Sequence, residues 1–207
     1  MTSYVFILYF LVMLITTTLS VEVSNYELFV DSVKKGNTSN VERLLSSGVD
    51  ANTRDRDGVL VLNTALVKGY SNISQLLLSH GADVNIKDDN GWTPLFFALF
   101  TENVDAMKAI IDKGADLNVQ DYNDWTPLIY AVGIQNPAMA KLLILSGADV
   151  NIMARDTQTA LKAAAVEGNP EVLKLLTEHH ASYERKESYF MFQGRLVKMP
   201  HENANAH

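Results

Sequence analysis

Gly48-Val49-Asp50-Ala51-Asn52, Gly81-Ala82-Asp83-Val84-Asn85, Gly114-Ala115-Asp116-Leu117-Asn118 and Gly147-Ala148-Asp149-Val150-Asn151 are four copies of one phrase. Each begins 33 residues after the one before, with nothing inserted or lost between them. A fixed period of about 20 to 50 residues marks a stacked-repeat architecture. One such unit cannot hide its apolar face alone, so neighbours must bury it for each other.

Working back from each glycine, an apolar cluster precedes it. The clusters are Val41 with Leu44-Leu45, Ile73 with Leu76-Leu77-Leu78, Val104 with Ile110-Ile111, and Leu142-Leu143-Ile144-Leu145. A last one holds Val172, Leu173, Leu175 and Leu176. Spacings of three and four place an apolar stripe on one side of a helix. The glycine supplies the left-handed residue that ends it, and Asp and Asn make turn contacts with nearby backbone. Working forward, a second submotif follows each phrase. It is fullest in Gly91-Trp92-Thr93-Pro94-Leu95-Phe96-Phe97-Ala98 and Trp125-Thr126-Pro127-Leu128-Ile129-Tyr130-Ala131. It degrades to Thr159-Ala160-Leu161 and to Gly58-Val59-Leu60-Val61-Leu62-Asn63. Thr93 is suited to cap a helix whose first turn accepts Pro94, because a first-turn N–H has no partner to lose. Each unit therefore reads as helix, turn, helix and a polar turn to the next. Five units are expected, at 24–54, 55–87, 88–120, 121–153 and 154–186.

Thr-Pro-Leu, an alanine three positions on, the paired leucines and Gly-Ala-Asp-Val-Asn, all in one register, resemble the ankyrin repeat over residues 24–183. That resemblance implies an all-α solenoid of stacked helix-turn-helix units with β-hairpin fingers projecting from one side. Family members usually carry His after Thr-Pro-Leu; here those positions hold Asn63, Phe96, Ile129 and Lys162, so packing by Phe96 and Ile129 replaces a hydrogen bond. The finger glycine is Asp124 in the fourth unit and Thr157 in the fifth. Asp tolerates positive φ better than Thr, so the fifth finger is expected to be irregular.

The resemblance also says where a partner meets such a stack: the fingers and the inner helices, on a concave face. Carried over by position, the finger tips include Arg56, Val59, Asp89, Trp92, Tyr122, Trp125, Arg155 and Gln158. The inner positions include Lys35, Val67, Lys68, Phe100, Thr101, Ile134 and Glu167. The expected partner-binding set is Val59, Trp92, Phe100, Tyr122, Trp125 and Ile134, since aromatics among polar residues are the composition of an interface hot spot. Each tryptophan has two available roles, packing on a neighbouring finger and partner contact.

Residues 1–20 carry no charged side chain, and Tyr4 to Ile15 is an unbroken apolar run. A spanning helix needs about 20 apolar residues. The shorter run suits a secretory signal peptide cleaved after Ser20, with Thr18 and Ser20 as the small residues. Retained, it would be a membrane tether. Asn37-Thr38-Ser39 and Asn72-Ile73-Ser74 are glycosylation triplets, placed by this reading in turns between helices. The repeat domain is then 21–187. The remaining 188–207 is a tail expected to fold partly over the last repeat, with a turn at Gln193-Gly194 and a disordered end.

The chain has 24 acidic against 17 basic residues and no cysteine. An acidic surface repels phosphate, which argues against nucleic acid as a partner. Without cysteine there is no disulfide and no thiolate site. The five histidines form no metal-ligand spacing, and no nucleophile or phosphate-loop motif is present. The expectation is a secreted monomer that binds an unidentified protein, does no catalysis, uses no cofactor or metal and stays off the membrane once cleaved. A tethered scaffold and an immunity-type protector of an envelope enzyme are the alternatives.

Overall fold

A computed structural model describes residues 13, 25–156, 158–179 and 181, together with strands at 189–192 and 195–198. The chain divides into two compact units, residues 1–116 and 117–207, the break falling inside the third copy of the phrase. The expected signal segment (Met13 apart), Thr157 of the fifth finger and the Gln193-Gly194 turn all lie outside the described residues. So do the side chains of the tail and its last nine residues.

In the first unit helix α1 covers residues 25–35. It is followed by α2 (Thr38–Ser46), α3 (Val61–Val67), α4 (Ser71–Ser79), α5 (Pro94–Phe100) and α6 (Val104–Asp112). Within pairs, α3 packs on α4 and α5 on α6; between pairs, α3 packs on α5, α2 on α4 and α4 on α6. The second unit repeats this plan with α7 (Pro127–Gly133), α8 (Pro137–Leu145), α9 (Ala160–Glu167) and α10 (Pro170–Glu178). There α7 packs on α8 and α9, and α10 on α8 and α9. A short antiparallel pair follows, β1 (Tyr189–Phe192) with β2 (Arg195–Lys198), in the register Tyr189↔Lys198 to Phe192↔Arg195.

Local chemistry starts these helices. Asn37, Asn103, Asn136 and Asn169 each stand before a second helix and accept a first-turn N–H on the side chain. Thr126 and Thr159 do the same for α7 and α9. Thr93 departs from the expectation: its Oγ1 is buried with no hydrogen-bond partner among the described residues, and Phe96 N–H bonds the Thr93 backbone carbonyl at 2.9 Å instead. Phe96 and Ile129 are both buried. So is Asn63, at the same repeat position, whose Oδ1 finds no partner among the described residues.

The stripe residues largely form the core. Val41, Leu44, Leu45, Ile73, Leu77, Leu78, Ile110, Leu143, Ile144, Val172 and Leu176 are buried, joined from the inner helices by Leu62, Leu66, Leu95, Leu99 and Leu128. Val104 and Leu145 do not join them. They stand at the first position of α6 and the last of α8, off the buried stripe, and are exposed.

The repeated phrase ends each second helix as expected. Gly48, Gly81, Gly114 and Gly147 have φ of 94°, 84°, 84° and 94°. At Gly81, the N–H of Ala82 bonds the Leu77 carbonyl at 3.0 Å, so the last carbonyls are satisfied as the chain turns away. The aspartates act locally: Asp50, Asp83 and Asp149 accept the N–H two residues on, at 2.8, 2.8 and 2.9 Å. The asparagines do not, which corrects the reading that both side chains serve their own turn. In the first unit Asn52 Oδ1 accepts the N–H of Asp83 at 2.7 Å and Asn85 Oδ1 that of Asp116 at 2.8 Å. In the second, Asn118 Oδ1 accepts the N–H of Asp149 at 2.8 Å. Asn85 Nδ2 also donates to the Gly114 carbonyl at 3.2 Å. Each asparagine thus ties its phrase to the next copy.

Asn85→Ala leaves the Asp116 N–H and the Gly114 carbonyl without their side-chain partner. Both groups are exposed, so water takes the vacated places and a net loss of about 0.5–1.5 kcal/mol is expected. Asn72→Ala, an exposed change, is expected to cost under about 0.5 kcal/mol. Urea unfolding of the two variants makes the comparison, and equal midpoints would mean that the asparagine link contributes nothing.

Candidate functional site

Three fingers share one construction. Asp55, Asp88 and Asp121 each accept two backbone N–H groups on Oδ1, from residues two and four positions on, at 2.8 to 3.0 Å. The aspartate N–H in turn bonds the carbonyl of Val59, Trp92 or Trp125 at 2.8 to 3.0 Å. The turn needs a left-handed residue, filled by Gly58 (φ 80°), Gly91 (78°) and, as expected, Asp124 (61°). In the fifth copy Ala154 stands where the others have aspartate. Its N–H still bonds the Gln158 carbonyl, while Asp156 accepts the Gln158 N–H.

The finger therefore delivers Val59, Trp92 and Trp125 at one fixed place, at the foot of an inner helix. Trp92 stacks on Phe96 with ring centroids 5.8 Å apart, meets Phe97 edge-on at 5.7 Å and lies 6.1 Å from Phe100. Trp125 lies 5.1 Å from the Tyr130 ring and passes over Gly133, whose added Cβ would stand 3.8 Å from it. Both tryptophans are half-buried and pack on the helix that follows them in their own repeat.

Of the expected partner-binding set, Trp92 and Phe100 are brought together in the first unit, Phe100 standing 71% exposed beyond the tryptophan. Val59 and Val67 are exposed in the same unit. In the second unit Tyr122, 65% exposed, shares a finger with Trp125, and Ile134 is exposed at the end of α7. Phe97 and Tyr130 were missed by the sequence reading. Their signal was available, since they occupy one position of the 33-residue period and both are aromatic.

Polar contacts fix the rest. In the first unit Lys34 Nζ lies 2.7 Å from Asp55 Oδ2, Arg56 pairs with Glu27, and the Tyr26 hydroxyl donates to the Arg54 carbonyl at 2.7 Å. Burial pushes the Asp55 carboxyl upward. The Lys34 hydrogen bond and the N–H groups of Val59 and Asp57 outweigh it and hold the carboxyl below the usual aspartate range. In the second unit the Tyr130 hydroxyl donates to Asp121 Oδ2 at 2.9 Å. Burial, then that bond, pushes its pKa up to about 12. Asn37 is exposed and caps α2, whereas Asn72, also exposed, is the second residue of α4 rather than part of a turn. Among the described residues no group of three or more His, Asp or Glu side chains is placed to hold a metal ion. Among them, too, no helix is long and apolar enough to cross a membrane.

A family model described as ankyrin repeats (3 copies) matches residues 29–121 and again residues 118–187. The chain belongs to the ankyrin-repeat family. No curated protein matches it. Its fold is the all-α ankyrin-repeat solenoid, and ankyrin repeats are modules of protein–protein interaction that generally bind rather than catalyse.

Two outcomes follow from this geometry. Protonating Asp55 is harder in the folded chain than in the unfolded one, so its link to Lys34 is fully stabilising above the ordinary aspartate pKa of 3.8 and is lost as pH falls through the lower folded value. Urea midpoints measured from about pH 5 down to about pH 2 should fall less steeply in Asp55→Asn than in the wild type. Trp92→Ala removes a half-buried ring wedged against three others and should cost about 1–2 kcal/mol. Tyr122→Ala should stay within about 0.5 kcal/mol. A Tyr122→Ala loss as large as that of Trp92→Ala would show the tyrosine to be packing.

Proposed function

We propose that the chain is a secreted module of five ankyrin repeats, residues 21–187 after cleavage following Ser20, that binds another protein and does no chemistry. It acts as a monomer, through fingers and inner helices of each unit. The observation that carries this reading is the division of aromatics within single repeats. Phe96 is buried and Trp92 half-buried on it, while Phe100, one turn further along α5, stands in solvent. A core has no use for a phenylalanine 71% exposed, and an interface does. Tyr122 stands likewise at a finger tip, held by the Asp121 turn rather than by packing. Because the fingers are pre-ordered by their aspartates, binding costs little conformational entropy.

The full chain expressed in a secreting eukaryotic host tests both halves. A product in the medium that begins at Val21 is expected, and its Asn37 and Asn72 triplets are the candidates for a glycan removable by an endoglycosidase. A product that keeps Met1 and stays in the membrane fraction overturns secretion in favour of the tethered alternative. Captured from its native source, the wild type should carry a stoichiometric protein that Phe100→Asp or Tyr122→Asp loses, with both variants melting as the wild type does. Retention of that protein by both variants overturns the surface. Its identity separates a general partner from an enzyme under protection.

A further inference from the structure

Inner helices of this chain end the same way at residues 36, 69, 102, 135 and 168, one position of the 33-residue period. All five have positive φ: Gly36 73°, Gly69 71°, Glu102 52°, Gln135 57° and Gly168 68°. The next N–H then reaches back to the helix, as Asn136 N–H does to the Ala131 carbonyl at 3.1 Å. Glycine adopts this conformation without strain and an L-residue does not. Glu102 and Gln135 are thus side chains kept where the backbone favours none, and strain of this kind collects at functional positions.

Gln135 has a visible occupation. Its Nε2 donates to Oε2 of Glu167, the exposed last residue of α9. Gln135 and Glu167 stand on a solvent-open cavity of about 190 Å³ within the second unit. Ala131, Val132, Pro137 and Val172 give the cavity apolar walls, and Asn136 and Asn169 also line it. Glu167 is the one charged residue lining it, and no cation does. Gln135 engages one carboxylate oxygen and leaves Oε1 of Glu167 without a partner among the described residues.

We infer that this cavity receives an arginine side chain of the protein partner. The inference rests on the partner-binding reading above and names one contact within it. Three methylenes of arginine fit the apolar side of this trough, and the planar guanidinium fits a carboxylate held at its rim. A charge-assisted pair of this kind has geometric as well as electrostatic specificity. Gln135 is a positioning residue: it orients Glu167 and offers its own Oε1 as a second acceptor.

The test needs no partner. The full chain, labelled with ¹⁵N, is titrated with N-acetyl-arginine amide and with N-acetyl-citrulline amide, its neutral isostere. The arginine compound should shift the amides of residues 131–136 and 167–172 saturably and bind about tenfold more tightly than the citrulline compound. Glu167→Gln should abolish that preference. Gln135→Gly should melt about 2–4 °C higher because it relieves the strain, yet lose much of the preference. The gain in stability excludes unfolding as the cause. Equal affinity for the two compounds, an absence of shifts at these amides, or a preference that survives Glu167→Gln overturns the inference. Should it fail while the wild type still captures a protein through Phe100 and Tyr122, the partner-binding reading stands without this contact.

Discussion

One side-chain amide ties each repeat to the next. Asn52, Asn85 and Asn118 accept the backbone N–H of the aspartate 31 residues ahead, at 2.7 to 2.8 Å. Apolar packing between neighbouring helix pairs is strong but non-directional, and tolerates small slips. A hydrogen bond from a side chain to a named backbone N–H does not. It sets the register in which Leu62, Leu66, Leu95 and Leu99 come to share a core. Because the link joins the same two positions of successive copies, an insertion within the phrase itself would displace one of its partners. That gives a physical reason for the phrase to keep its length in every copy.

The fingers inherit this regularity and add a second device. An aspartate, buried at Asp55 and Asp121 and half-buried at Asp88, holds two amides on one oxygen, which turns a flexible loop into a fixed arm. Asp55 and Asp121 use the other oxygen as well, for Lys34 and for the Tyr130 hydroxyl. The arm sets Trp92 and Trp125 half-buried on their own helices, so they support the surface more than they present it. Phe100, Tyr122, Val67 and Ile134 present it. Rigidity and display are thus assigned to different residues of the same repeat, and a change at one need not disturb the other.

Much of this is legible in the sequence. The 33-residue period, the helix stripes, the left-handed glycines and the positive φ of Asp124 follow from residue types at fixed spacing. Those properties are local, or repeat identically in every copy. Other features were misread for equally physical reasons. Asn and Asp have the same turn chemistry, so nothing in the phrase says that one bonds within its turn and the other to the next. Thr93 and Thr126 precede the same Pro-Leu, yet only Thr126 caps its helix through the side chain. Val104 and Leu145 fit an apolar stripe by type and fall off it by position.

What the sequence by itself determined is the repeat, the family and the set of positions free to differ between copies. Periodicity carries that information, because a stacked fold demands the same residue at the same place every time. Only the tertiary structure decided which of the variable residues face solvent. It buried Phe96, left Phe100 outside, laid Trp92 across both, and set Gln135 against Glu167 at the mouth of a cavity. Exposure depends on what neighbouring elements cover, and that is a property of packed helices rather than of any stretch of chain.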